Sequence, residues 1–131
     1  MKVIDSSTLV KFFSKEKGWE KVTEIISEGV ATLDLAIKEI ASALWKKVIR
    51  EEMDESVAIR ILSDLLKKEA IITVNQDEYL VEAFKIATEY KITVYDALFI
   101  ALAKSMKTEL ITSDKKQYDA SLKEGIKSQF I

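Results

Sequence analysis

Eleven consecutive residues, Thr93 to Ala103, read Thr-Val-Tyr-Asp-Ala-Leu-Phe-Ile-Ala-Leu-Ala and carry one charge. Ala and Leu favour helix and nothing in the run breaks one, so the pattern predicts a helix over Tyr95–Met106. A helix apolar on nearly every side belongs inside a domain core. The single charge, Asp96, therefore enters that core in the first helical turn. A carboxylate there must be hydrogen-bonded, paired or bound to a metal ion, because burying it bare is costly. A local account also exists: Thr93 and Asp96 have capping-box spacing, and an acid suits a helix N-terminus.

The flanking chain supplies what such a helix packs against. Lys2-Val3-Ile4 reads as a short buried strand ended by the turn Asp5-Ser6-Ser7. Helical spacing follows over Thr8–Lys15, with Leu9, Phe12 and Phe13 on one face. Trp19 to Ser27 repeats that spacing and Gly29 ends it. Val30–Leu33 is a second strand, and Asp34 is placed to cap a helix over Leu35–Arg50. Asp54 or Ser56 could cap a helix running to Lys68, before a strand over Ala70–Val74. Asn75 leads into a helix to Glu89, and Glu109–Thr112 is a fourth strand after the central helix. Lys115 to Glu124 is polar and irregular, with room for one short turn of helix; Ile126–Ile131 adds an edge strand. Strands alternating with helices predict an α/β fold: a central, mostly parallel sheet of four to five strands with helices on both faces. At 131 residues the chain is read as one domain, residues 1–131.

Composition narrows the chemistry. There is no histidine, which excludes Ser-His-Asp and Cys-His sites in cis and imidazole-based ribonuclease chemistry. There is no cysteine, hence no disulfide and no thiolate zinc site. The three glycines, at 18, 29 and 125, are too scattered for a phosphate-cradling loop. No apolar run is long enough to span a bilayer, and Asp5 interrupts the apolar start, so no membrane association is expected and the cytoplasm is the expected location. What remains for catalysis is carboxylates, hydroxyls, lysines and a hard metal ion.

Four carboxylates stand out. Asp5 and Asp114 each follow a predicted strand, and ligands of open parallel sheets bind beyond the strands' carboxyl ends. Glu39 interrupts the apolar side of its helix near the start, and Asp96 lies in a first turn. Each also has a local explanation, as a cap or as a solvated residue. Brought together, they would repel one another unless a cation held them. Oxygen ligands without His or Cys select Mg²⁺ or Mn²⁺, ions that assist in-line phosphodiester hydrolysis.

The motifs carry a resemblance as well. Val3-Ile4-Asp5-Ser6-Ser7-Thr8-Leu9-Val10 resembles the opening of PIN-domain nucleases. Glu39 in Ala36-Ile37-Lys38-Glu39-Ile40 is similar to their helix-borne glutamate. Tyr95-Asp96-Ala97-Leu98-Phe99-Ile100-Ala101-Leu102-Ala103 is similar to their most recognisable motif, and Leu110-Ile111-Thr112-Ser113-Asp114 resembles their Thr-x-Asp. The order and length fit VapC-type toxins of toxin–antitoxin pairs. The resemblance implies a PIN-like fold, Mg²⁺- or Mn²⁺-dependent endoribonuclease activity on RNA, homodimerisation and inhibition by a cognate antitoxin. It makes Asp5, Glu39, Asp96 and Asp114 the catalytic, metal-binding acids, with Ser7 and Thr112 supporting them through hydrogen bonds. Asp119 has no assigned role.

Lys11, Lys15, Lys46, Lys115 and Lys116 are candidates for phosphate contact, each equally readable as a solvated side chain. Phe12, Phe13, Trp19 and Trp45 could line a groove for an antitoxin segment or a second copy, or could simply pack in the core. Two other functions fit the same residues: a non-catalytic α/β interaction module and a DNA-directed nuclease. Proteins of phosphatase or receiver type also place Asp at strand ends. Ser7 stands where such a phosphatase needs a second Asp, and Asn75 follows the third strand where a receiver needs one.

Overall fold

A computed structural model of the chain describes every residue except Lys68. In chain order the elements are β1 (Lys2–Ile4), α1 (Ser6–Phe13), α2 (Trp19–Ser27), β2 (Val30–Leu33), α3 (Asp34–Ile49), α4 (Glu55–Leu66) and β3 (Ile71–Val74). A short 3-10 turn (Asp77–Tyr79) follows, then α5 (Leu80–Tyr90), α6 (Val94–Met106), β4 (Leu110–Thr112), α7 (Lys115–Lys123) and β5 (Ser128–Phe130). The strands form one sheet in the order β3-β2-β1-β4-β5, and every neighbouring pair is parallel.

This order decides where the helices go. The connections β1→β2 and β2→β3 step outward one way; β3→β4 and β4→β5 step the other way. Crossovers between parallel strands are right-handed, so α1 to α4 cover one face and α5 to α7 the opposite one. The packing agrees: α1 contacts α2 and α3, while α6 contacts α5 and α7. The direction of winding reverses between β1 and β4. That reversal opens a crevice at the strands' carboxyl ends.

The apolar helix lies where its composition requires. Ala97 through Ala103 are all buried in α6, and Phe99, Ile100 and Leu102 are among the largest fully buried side chains. Burying each of these three contributes about 1.5–3 kcal/mol relative to exposure. Ile4, Leu33, Leu110 and Ile111 complete the same core from the sheet. The one hydroxyl inside β2, Thr32, donates to the Ile4 carbonyl at 2.7 Å and leaves no lone donor there.

Three local expectations need correcting. Helix α1 spans Ser6–Phe13 rather than Thr8–Lys15: the Asp5 carboxylate caps it by accepting the Thr8 N–H, and Lys15 turns left-handed at φ 51°. Asp34 is the first residue of α3, not its N-cap. Its carboxylate accepts the Leu35 N–H at 3.0 Å and the Gln76 N–H at 3.2 Å, pinning the exit of β3. The stretch read as irregular is a nine-residue helix, α7. Its buried residues are Gln117, Ala120 and Ser121, which have helical spacing but almost no apolar character. Helix α4 has Asp54 at its N-cap and is described to Leu66; the expected end at Lys68 lies outside the described residues. Among the described residues no helix is long and apolar enough to cross a membrane.

Candidate active site

The crevice between β1 and β4 is built around Asp5. This residue follows β1 directly, has extended backbone, and is 2% exposed. One carboxylate oxygen, Oδ1, accepts the Thr8 N–H at 2.9 Å. The other accepts the Thr112 hydroxyl at 2.6 Å and the Ser7 hydroxyl at 2.7 Å. Each hydroxyl also accepts a backbone N–H from the exit of β4: Asp114 N–H to Thr112 at 3.0 Å, Ser113 N–H to Ser7 at 3.2 Å. A hydroxyl that accepts from an amide gives its own proton to the carboxylate, so both proton directions are fixed. Two amide–hydroxyl–carboxylate relays therefore tie the end of β4 to Asp5. The Thr8 and Ser113 hydroxyls, 3.0 Å apart, add a third link. Burial pushes the Asp5 pKa up, and the donors from Thr112, Thr8 and Ser7 oppose that rise.

The other three acids arrive from three further elements. Asp114 caps α7 by accepting the Gln117 N–H at 2.9 Å. Asp96 is half-buried in the first turn of α6, where its N–H donates to the Thr93 hydroxyl at 3.1 Å. Its pKa is raised, first by desolvation and then by the charges of Asp114 and Asp5; Thr93 and Lys116 pull the other way. Glu39 is half-buried in the second turn of α3 and accepts the Ser6 hydroxyl at 3.0 Å. Its pKa is also raised, by desolvation first and more weakly by Asp96 and Asp5, against the Ser6 bond. Asp96 thus sits in the fields of Asp114 and Asp5, and Glu39 in those of Asp96 and Asp5.

The donor set is oxygen throughout, which suits a hard divalent ion. Asp5 has used three of about four lone-pair positions and keeps one. Among the described residues, no three acidic side chains stand in position to hold one ion as they are now arranged.

Several contacts carry no local sequence signal. The Ser6–Glu39 bond spans 33 residues. Gln117 lies in a stretch without apolar periodicity. Asp119, by contrast, has a local partner four residues earlier: it pairs with Lys115 at 2.9 Å on the surface of α7. That pairing also narrows the lysines. Lys115 is engaged, Lys11 donates to the Ile131 carbonyl at 2.7 Å, and Lys15 lies over the Trp19 ring. Lys116 acts on Asp96, and Lys46 lines a groove of about 330 Å³ with Glu39, Ser42, Lys47 and Arg50. Of the aromatics, Phe12 and Phe13 line a cavity of about 180 Å³ with Leu65 and Ile71. Trp45 projects elsewhere from α3 and is 59% exposed.

Comparison with known proteins agrees with this architecture. A family model described as PIN domain matches residues 2–123. Ribonuclease VapC3 of Pyrobaculum aerophilum is 32% identical over 117 residues, covering 87% of this chain and 89% of that protein. Exonuclease VapC9 of the same organism is 30% identical over 114 residues, covering 87% and 80%. The crystal structure of PAE2754 from Pyrobaculum aerophilum superposes with a TM-score of 0.75 at 25% identity, over 97% of this chain and 87% of that one. A toxin–antitoxin complex from Klebsiella pneumoniae shares the fold at a TM-score of 0.62 and 20% identity, over 90% of each chain.

Proposed function

The chain belongs to the VapC-type PIN-domain family, and from that premise we propose that it is a divalent-metal-dependent endoribonuclease, the toxin of a toxin–antitoxin pair, acting in the cytoplasm as a single domain of residues 1–131. What supports this reading is that Asp5 and Asp114 follow the neighbouring strands β1 and β4, that Asp96 feels the charges of both, and that Glu39 feels those of Asp96 and Asp5. These four would hold the ion, Mg²⁺ or Mn²⁺. Bound there, it would neutralise charge on the scissile phosphate and acidify water for in-line attack.

The chain's own residues divide the remaining work. Asp5, buried and locked by its two relays, is the fixed member of the set. Glu39 and Asp96 are half-exposed and would supply the further oxygens. Ser7 and Thr112 fix the direction in which Asp5 presents its lone pairs. The groove running from Glu39 to Lys46 and Arg50 continues along one face of α3 for about 16 Å at 1.5 Å per residue, and would carry RNA phosphates away from the site. Lys116 would contact phosphate on the other side.

The two relatives are named a ribonuclease and an exonuclease, so circular single-stranded RNA with Mn²⁺ is the discriminating substrate. The wild type should linearise the circle; cutting only linear RNA would make the enzyme an exonuclease. Cutting a DNA circle in preference would make it a DNA nuclease, and cutting nothing would favour the interaction module. In the same assay Lys46→Ala/Arg50→Ala should bind RNA more weakly. Its log affinity should depend less on log salt, by roughly 0.7 for each phosphate no longer neutralised. An unchanged slope removes the groove from the RNA path.

Two protein partners belong to the reading. A cognate antitoxin, encoded beside this chain, would suppress the same cleavage; the cavity lined by Phe12 and Phe13 is its candidate foothold. Cleavage indifferent to that neighbour's product would remove the antitoxin. A second copy of the chain would cover Leu80, Val81 and Phe84, which form an exposed apolar ridge on α5 at 49%, 72% and 60% exposure. Phe84→Glu should then sediment as a monomer where the wild type is a dimer, and equal sedimentation would relocate or remove that interface.

A further inference from the structure

Gln117 is 1% exposed, in a position that an apolar residue could fill. Its side-chain Nε2 donates to the Asp96 backbone carbonyl at 3.0 Å, and its backbone N–H donates to the Asp114 carboxylate at 2.9 Å. Its Oε1 is buried with no partner. An orphaned buried acceptor costs about 1–3 kcal/mol, whereas an apolar side chain of similar volume carries no such cost. Packing alone therefore does not account for an amide here.

Satisfying the Asp96 carbonyl does not account for it either, because that carbonyl already sits within the helical ladder of α6. What the amide achieves is geometric. One residue grips α6 at Asp96 with its side chain and α7 at Asp114 with its backbone. These are two acids whose charges oppose each other's approach. The other polar link, Lys104 to Glu124 at 2.6 Å, lies at the far end of α7; beside the two acids it is the Gln117 hydrogen bond that resists sliding of α6 against α7.

We propose that Gln117 is a positioning residue, setting the separation of Asp96 and Asp114 for a shared divalent cation. The proposal rests on the metal-site reading of the four acids and concerns only how this chain builds that site. It makes the exchange explicit: local stability is given up at Oε1 to hold two acids in register.

The test is calorimetric titration of Mn²⁺ into the wild type and Gln117→Leu, with melting of the metal-free proteins alongside. Gln117→Leu should melt at or above the wild-type temperature, because the orphaned acceptor is gone. Its Mn²⁺ affinity should fall about tenfold, the lower end of the range for groups that orient metal ligands. Cleavage should recover at saturating Mn²⁺, so that the defect lies in the ion concentration required and not in the maximal rate. A purely structural role would lower the melting temperature and leave the affinity of the folded fraction unchanged. Gln117→Met, unbranched and adaptable, serves if the Leu variant does not fold. A folded variant that binds Mn²⁺ like the wild type overturns the proposal and leaves the metal site standing. A wild type that binds no Mn²⁺ overturns both.

Discussion

Asp96→Asn should cut RNA cleavage by at least about a thousandfold, the effect of removing several kcal/mol of transition-state stabilisation at about 1.36 kcal/mol per decade. Asn keeps the size and the helical position, and Thr93 still accepts the residue-96 N–H, so the fold should be kept. The same change should raise stability without metal. Burial and the charges of Asp114 and Asp5 lift the Asp96 pKa above its ordinary 3.8 in the folded protein. The folded state then binds more protons than the unfolded state across that interval. Its stability therefore falls as pH rises from about 4 through the raised folded value, and the loss is complete above it. In chelator, the melting difference between Asp96→Asn and wild type should be small near pH 4 and grow toward pH 7. A variant that cleaves at the wild-type rate, or a melting difference that shrinks with rising pH, would show that Asp96 is only a helix cap.

Thr112→Val is the second large effect, and it acts through Asp5. Val preserves the β-branched shape, so β4 should persist. It removes the donor to the Asp5 carboxylate and the acceptor of the Asp114 N–H in one step. Losing a buried bond to a charged group and stranding an amide should cost about 2–4 kcal/mol by denaturant unfolding. Cleavage should fall about 10- to 100-fold as Asp5 loses its orientation, the range seen when partners of metal ligands are removed. Thr112→Ser retains the hydroxyl and should restore most of both. Wild-type stability in the Val variant, or no recovery with Ser, would mean the relay is incidental.

What is legible in the chain follows from where the information lies. The apolar run over 94–103, interrupted by Asp96 alone, announces a buried helix, and seven of its residues are buried in succession. Asp5 and Asp114 can be read from strand ends alone, and their strands are neighbours at the winding reversal. Helix α7 is not legible because it buries Gln117 and Ser121 in place of apolar residues, so no hydrophobic period marks it. The role of Asp34 is misplaced by one position in a local reading, because its second partner, Gln76, is 42 residues away. The same holds for Ser6 and Glu39: a hydroxyl and an acid with no spacing rule between them meet only once the sheet order is set. Strand order itself depends on crossover lengths and packing on both faces, which alternation of elements leaves open.

The central claim is that Asp5, Glu39, Asp96 and Asp114 act as one oxygen site for a divalent cation. Calorimetric titration of Mn²⁺ into the wild type and into Asp5→Asn, Glu39→Gln, Asp96→Asn and Asp114→Asn tests it most directly. Saturable binding by the wild type, weakened at least about tenfold by each folded single variant, is the predicted result. No binding by the wild type, or wild-type affinity in all four variants, would contradict it.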